Sequence, residues 1–274
     1  MRKLIIVLLA VLLFSSMVAC SRLDTDQPDT VGRNDNGTNK TGENGSGSAR
    51  TTSAILSAKI MEIKGTSFLA ANMTPEANDG DIYWINAEKP DVMGVSGNKL
   101  KSDALEAGML VDIAYDGTVM ESYPMGLGGV SSIRIKEEGD DIAGLYKSVI
   151  KDLYETDEGL NGGIERIAFD FSGISNLTEA EKTALVYSLG NIYGLEAIRG
   201  TFDELSKQGY INKEKLSFET GLLFTIKVSA EEKDRFTFDA NKWRGGDGAD
   251  FYNDCTAKKV NGSWTYTIGS TAIS

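Results

Sequence analysis

One stretch of this chain cannot fold, and it limits everything around it. Between Ser21 and Arg50 the clear hydrophobes are Leu23, Val31 and Ala49, set among Asp, Asn, Gly, Ser and Thr. Such a segment cannot bury enough apolar surface to offset the entropy of ordering its backbone. Residues 20–52 therefore read as a flexible linker spanning roughly 30 Å root-mean-square. Asn34-Asp35-Asn36-Gly37 lacks the ligand spacing and closing Glu of a calcium loop. Packing begins at about Ser53, in a chain whose 41% hydrophobic content is enough to build cores.

Ahead of the linker, Met1-Arg2-Lys3 is basic, and Leu4 to Met17 is apolar apart from Ser15 and Ser16. At about 14 residues this run falls short of the roughly 20 that a spanning helix needs. It fits a signal peptide over 1–19. Met17-Val18-Ala19-Cys20 resembles the bacterial lipobox, in which an aliphatic residue and two modest ones precede the lipid-bearing cysteine. The resemblance implies cleavage before Cys20, diacylglycerol and palmitate on that cysteine, and an extracytoplasmic, membrane-anchored address. A plain signal peptide with an incidental cysteine is the alternative. With Cys20 lipidated, Cys255 is the one remaining thiol, and no intramolecular disulfide can form.

The formal charge of −12 argues against a nucleic-acid partner, because phosphate binding needs clustered cations. It equally argues against a folded domain lying on anionic lipid. The chain has no histidine, which removes His-dependent triads, HExxH zinc sites and imidazole acid–base chemistry. Carboxylate pairs or a Ser–Lys couple would be the remaining routes to catalysis. The sequence marks no catalytic set, no metal site and no cofactor.

Residues 53–137 read as short strands. Ala54 to Ile63 turns at Lys64-Gly65 into Ser67 to Ala71, and Ile82-Tyr83-Trp84-Ile85 follows. Ser102 to Ala107 suits one helical turn. Met109, Val111, Ile113 and Tyr115 alternate onto one face, and Asp116-Gly117 predicts a two-residue hairpin returning through Thr118 to Tyr123. Ile133 and Ile135 mark a last strand. About five strands in this length predict a small closed barrel. Leu105-Glu106-Ala107-Gly108-Met109-Leu110-Val111-Asp112-Ile113, with Tyr115-Asp116-Gly117 and Glu121-Ser122-Tyr123-Pro124, resembles an OB-like domain of unknown function from extracytoplasmic Gram-positive proteins. That resemblance implies a fold and no activity.

Residues 138–274 predict an α+β domain with helices packed on an antiparallel sheet. Ile142, Leu145, Tyr146, Val149, Ile150, Leu153 and Tyr154 share a helical stripe behind Asp140 and Asp141. Ile167, Phe169 and Phe171 alternate as a strand. Thr178-Glu179-Ala180-Glu181 fits a capping box, and Thr201 to Gln208 suits a shorter helix stopped at Gly209. Leu222, Phe224, Ile226 and Val228 begin a meander that ends in an Asn261-Gly262 hairpin carrying Trp264, Tyr266 and Ile268. Leu177 to Lys182, Thr201 to Leu205 with Gly209-Tyr210-Ile211, and Lys242 to Phe251 resemble a module of stand-alone lipoproteins and of the outer regions of membrane metallopeptidase sensor–transducers. The peptidase's zinc motif is absent, so the resemblance implies outward-facing sensing or binding without that activity.

The most suggestive local cluster is Lys242-Trp243-Arg244-Gly245-Gly246-Asp247-Gly248-Ala249-Asp250. Its glycines would admit a ligand, Arg244 could fork onto a carboxylate, Trp243 could stack, and Asp247 and Asp250 complete a candidate ligand-binding set. A tight inter-strand connection explains the same glycines unaided. Asp247, Asp250 and Asp254 offer three hard oxygens for Ca²⁺, a cheap pattern in so acidic a chain. Ser148-Val149-Ile150-Lys151 and Ser96-Gly97-Asn98-Lys99 both match S-x-x-K, without the companion elements that give it meaning. Cys255, in phase with Phe251 and Ala257, reads as a core thiol.

Together these features point to a lipid-anchored, non-enzymatic binding or sensing accessory with an envelope or membrane protein as partner. A carboxylate-dependent envelope hydrolase would need two acids converging in one pocket. A small-ligand-binding lipoprotein would need an enclosed cavity lined by aromatics such as Tyr83, Trp84 or Trp243.

Overall fold

The computed structural model describes residues 53–75 and 80–274. The segments read from sequence as a signal peptide (1–19), a lipidation site (Cys20) and a linker (20–52) lie outside the described residues.

Alternating apolar residues set the first sheet. Strands β1 (Ala54–Lys64) and β2 (Ser67–Asn72) pair antiparallel around Gly65, whose φ of +64° is why the turn takes glycine. Next come β3 (Ile82–Asn86), β4 (Asp91–Met93), β5 (Lys99–Leu100), β6 (Leu110–Tyr115), β7 (Val119–Met120), β8 (Gly126–Leu127) and β9 (Ser132–Glu137). The order is β3-β2-β1-β6-β9-β4-β5, with β7 and β8 paired separately. Leu56, Ala58, Ile60, Phe68, Val111, Ile113 and Ile133 fill the concave side.

Two expectations fail here. β6 has both edges occupied, by β1 and by β9, so no hairpin can return along it from Asp116-Gly117. The Asp116 carboxylate instead accepts from the Thr118 N–H at 2.9 Å, and the chain leaves to form the β7–β8 pair. The sheet curls into a half-barrel with β3 and β5 as its two ends, rather than closing.

Helix α1 (Ile142–Glu155) starts at Asp141, whose side chain accepts from the Gly144 N–H at 2.8 Å. Strand β10 (Arg166–Gly173) leads to α2 (Glu179–Tyr193), opened by the Thr178–Glu181 capping box. Then follow β11 (Glu196–Arg199), α3 (Phe202–Lys207) with its own Thr201–Glu204 box, and β12 (Gly221–Glu232). Strands β13 (Arg235–Gly245), β14 (Gly248–Val260), β15 (Ser263–Thr267) and β16 (Ser270–Ile273) complete the chain. The second sheet runs β11-β10-β12-β13-β14-β15, with β16 also on β14.

The expected α+β domain with helices on an antiparallel sheet is therefore corrected. The described residues are mostly β, 47% strand against 19% helix. The second sheet is mixed, because β10 runs parallel to both β11 and β12. Ala168 faces one core while Ile167, Phe169 and Phe171 face another, so β10 is buried on both sides, as parallel strands usually are.

Nor do the helices form a layer over one sheet. Helix α2 touches β1, β2 and β3 as well as β10 and β11. A bulge at β1 lets consecutive residues Ile60 and Met61 bury into different cores. Met61, Leu69, Ala71 and Ile82 thus join the core built on α1, α2 and the second sheet. Polar bridges cross the same junction. Lys59 Nζ lies 2.8 Å from Glu181 Oε1, and Ser188 donates to the Glu62 carboxylate. The described residues form one compact unit.

Candidate functional site

Strands β13 and β14 close at Gly245 opposite Gly248, with Gly246-Asp247 at the tip. Alternation sends Lys242 and Arg244 to one face of β13 and Trp243 to the other. A Cβ on Gly248 would come within 2.8 Å of Leu160 Cδ2, so the turn packs closely on the segment after α1.

Both cations bind that segment's backbone. Lys242 is fully buried, and its Nζ donates to Tyr154 O at 3.4 Å, Asp157 O at 3.1 Å and Thr156 O. Arg244 donates from Nη1 to Leu160 O at 2.6 Å and Gly162 O at 2.8 Å, and from Nη2 to Glu219 O at 3.0 Å. These carbonyls include the orphans at the C-terminal, negative end of α1, where a cation is stabilising. Asp250, directly across from Lys242, is 1% exposed with its Oδ2 3.5 Å from Nζ. Burial pushes the Lys242 ammonium downward and the Asp250 carboxyl upward, each partly opposed by the other's charge.

The four residues singled out in the sequence are thus not gathered on one surface. Arg244 and Asp247 border a shallow concavity of about 460 Å³. Trp243 packs edge-on to Phe202 at 5.3 Å beside Leu205, Phe218 and Leu223. Asp250 is inside with Lys242, a partner that the Lys–Gly-rich turn–Asp register of a hairpin could have signalled. Asp254 sits apart on a bulge at φ +52°. Among the described residues no group of three or more Asp, Glu, Cys or His is placed to hold a metal ion.

The other motifs resolve individually. Ser148 is exposed and its hydroxyl donates to Gly144 O, while Lys151 pairs with Glu155. Ser96 hydrogen-bonds Asn98 within the turn between β4 and β5. Cys255 is buried, and burial lifts its thiol to about 11. Its strand neighbour on the core face is Tyr252 rather than Phe251, because the bulge at Asp254 shifts the phase. Tyr83 and Trp84 alternate into different cores, so neither shares a cavity with Trp243.

A larger groove, about 780 Å³, opens between the two sheets' outer segments. Its walls come from the loop before β6 (Glu106, Met109), the entry to α1 (Glu138, Asp141, Leu145) and the β14–β15 hairpin (Asn261, Trp264). Asn261 and Gly262 hold φ of +51° and +83°, the mirror-image turn that Asn-Gly predicts. Trp264 is fixed by its indole N–H, which donates to Asp140 Oδ1 at 2.6 Å, and Lys259 donates to the same oxygen at 3.0 Å. Burial alone would raise the Asp140 carboxyl, but the hydrogen bonds from Trp264 and Lys259 outweigh it and hold it lower. No family model, curated protein or solved structure matches the chain. The groove's own chemistry is what remains: carboxylates at the rim, Met109, Leu145 and an anchored indole between them.

Proposed function

We propose that the protein is a membrane-anchored extracytoplasmic lipoprotein, held by lipid on Cys20, whose folded part is a non-enzymatic binding or sensing accessory of the envelope. The groove beside Trp264 is the observation that carries the reading. It is open and acid-rimmed, with the Trp264 ring and Met109 on its walls, which suits a basic segment of a partner protein: charges meet at the rim and a side chain packs on the indole. The lipobox-like Met17-Val18-Ala19-Cys20 and the apolar-poor linker support the anchored address. The resemblance of the second half to sensor–transducer outer regions supports the same role.

The hydrolase alternative draws no comparable support. The described carboxyl that burial pushes upward is Asp250, and its neighbour is Lys242, not a second acid. The test is to fractionate cells expressing wild type or Cys20→Ala and to crosslink both in intact cells. Wild type should take up labelled palmitate, partition with the membrane and capture a discrete envelope protein. Cys20→Ala should lose all three. Unchanged membrane partition of Cys20→Ala would contradict the anchor.

A further inference from the structure

Lys242 and Asp250 face each other across β13 and β14 with side chains 0% and 1% exposed. Two features set them apart from an ordinary ion pair. Their 3.5 Å separation is long for a charge-assisted hydrogen bond, and neither Asp250 oxygen has a hydrogen-bond partner among the described residues. A buried carboxylate without donors is unfavourable, and it is relieved by losing its charge.

The second feature is how little of Lys242 its carbonyl cage requires. Tyr154 O also accepts from Asn161 Nδ2 at 2.7 Å, and Asp157 O from the Leu160 N–H at 3.1 Å. Thr156 O has Lys242 as its donor. Asn161 Oδ1 is a distant acceptor at 3.5 Å from Nζ, so Thr156 O is the close acceptor that depends on Lys242, and the one N–H that a secondary amide keeps serves it. Burial also moves the amine and the carboxyl toward their neutral forms, the pair that can react.

We infer that Lys242 and Asp250 condense into an intramolecular amide that welds β13 to β14. The Nζ lone pair attacks Asp250 Cγ, a C–N bond forms and the C–OH bond breaks. The hydroxyl leaves as water with a proton from the nitrogen, so nothing is oxidised or reduced and no further reagent is needed. The product keeps its N–H on Thr156 O and replaces two undonated carboxylate oxygens with one neutral carbonyl. Cys255 has no thiol partner among the described residues, so this brace is one that disulfide chemistry does not duplicate there.

The full chain, purified folded and then denatured and digested with trypsin, decides the matter by mass. Cleavage after an unmodified Lys242 separates Phe236–Lys242, Trp243-Arg244 and Gly245–Lys258. The amide blocks that cut and joins Phe236–Arg244 to Gly245–Lys258, lighter than their sum by one water. That linked species, absent from Lys242→Arg, is the expected result. Separate peptides at full mass would overturn the proposal. So would its persistence in Lys242→Arg, or a water loss confined to Gly245–Lys258, which would mark a cyclic imide at Asp247-Gly248.

Discussion

Lys242→Met should lower stability by about 3–5 kcal/mol, the usual loss when a buried acid is left without its partner, whether that partner was held by charge or by the amide. The reason is local. Asp250 would remain 1% exposed with no cation beside it, and Thr156 O at the end of α1 would lose its donor. In urea the midpoint should fall while the slope stays unchanged. Lys242→Met combined with Asp250→Leu should recover part of the loss, since apolar replacement of both partners removes the stranded charge. A single-variant loss below about 1 kcal/mol would place Lys242 with exposed ion pairs instead.

Leu69→Ala should cost about 2–5 kcal/mol, as truncation of a fully buried leucine does. Its wider significance is where that leucine points. Leu69 lies on β2 of the first sheet, is 0% exposed, and packs in the core that also holds Tyr146, Leu185, Phe169 and Phe224. The two sheets should therefore lose stability together. Native-state amide exchange should show protection falling in β1–β2 and in β12–β13 alike. Loosening confined to the first sheet would mean that the shared core does not couple them.

The failures of sequence reading share a physical pattern. Features set by a few neighbouring residues were legible: the Thr178–Glu181 and Thr201–Glu204 capping boxes, the buried stripe of α1 and the Asn261-Gly262 turn all depend on local backbone chemistry. Features set by distant partners were not. Asp116-Gly117 has hairpin chemistry, but the flanks of β6 are taken by strands 50 residues before and 20 after in rough sequence terms, beyond the reach of local turn rules. The parallel pairing of β10 depends on α2 returning the chain in the same direction. Met61 and Leu69 read as ordinary strand residues, and only the packing of α2 shows that both faces of the first sheet are apolar. The site followed the same rule. Arg244 has the donors for a carboxylate ligand, but those donors meet the carbonyls of Leu160, Gly162 and Glu219, which the fold brings from elsewhere.

The claim that matters most for function is that recognition happens in the groove beside Trp264. The direct measurement places a photo-crosslinking residue at Asn261, on the groove wall, and at Asp247, on the β13–β14 turn at the opposite end of β14, in intact cells. Adduct formation is then compared with and without Glu138→Lys. A discrete adduct should form from Asn261 and be suppressed by Glu138→Lys, and none should form from Asp247. Equal capture from both positions, or capture from Asn261 that charge reversal leaves unchanged, would contradict it.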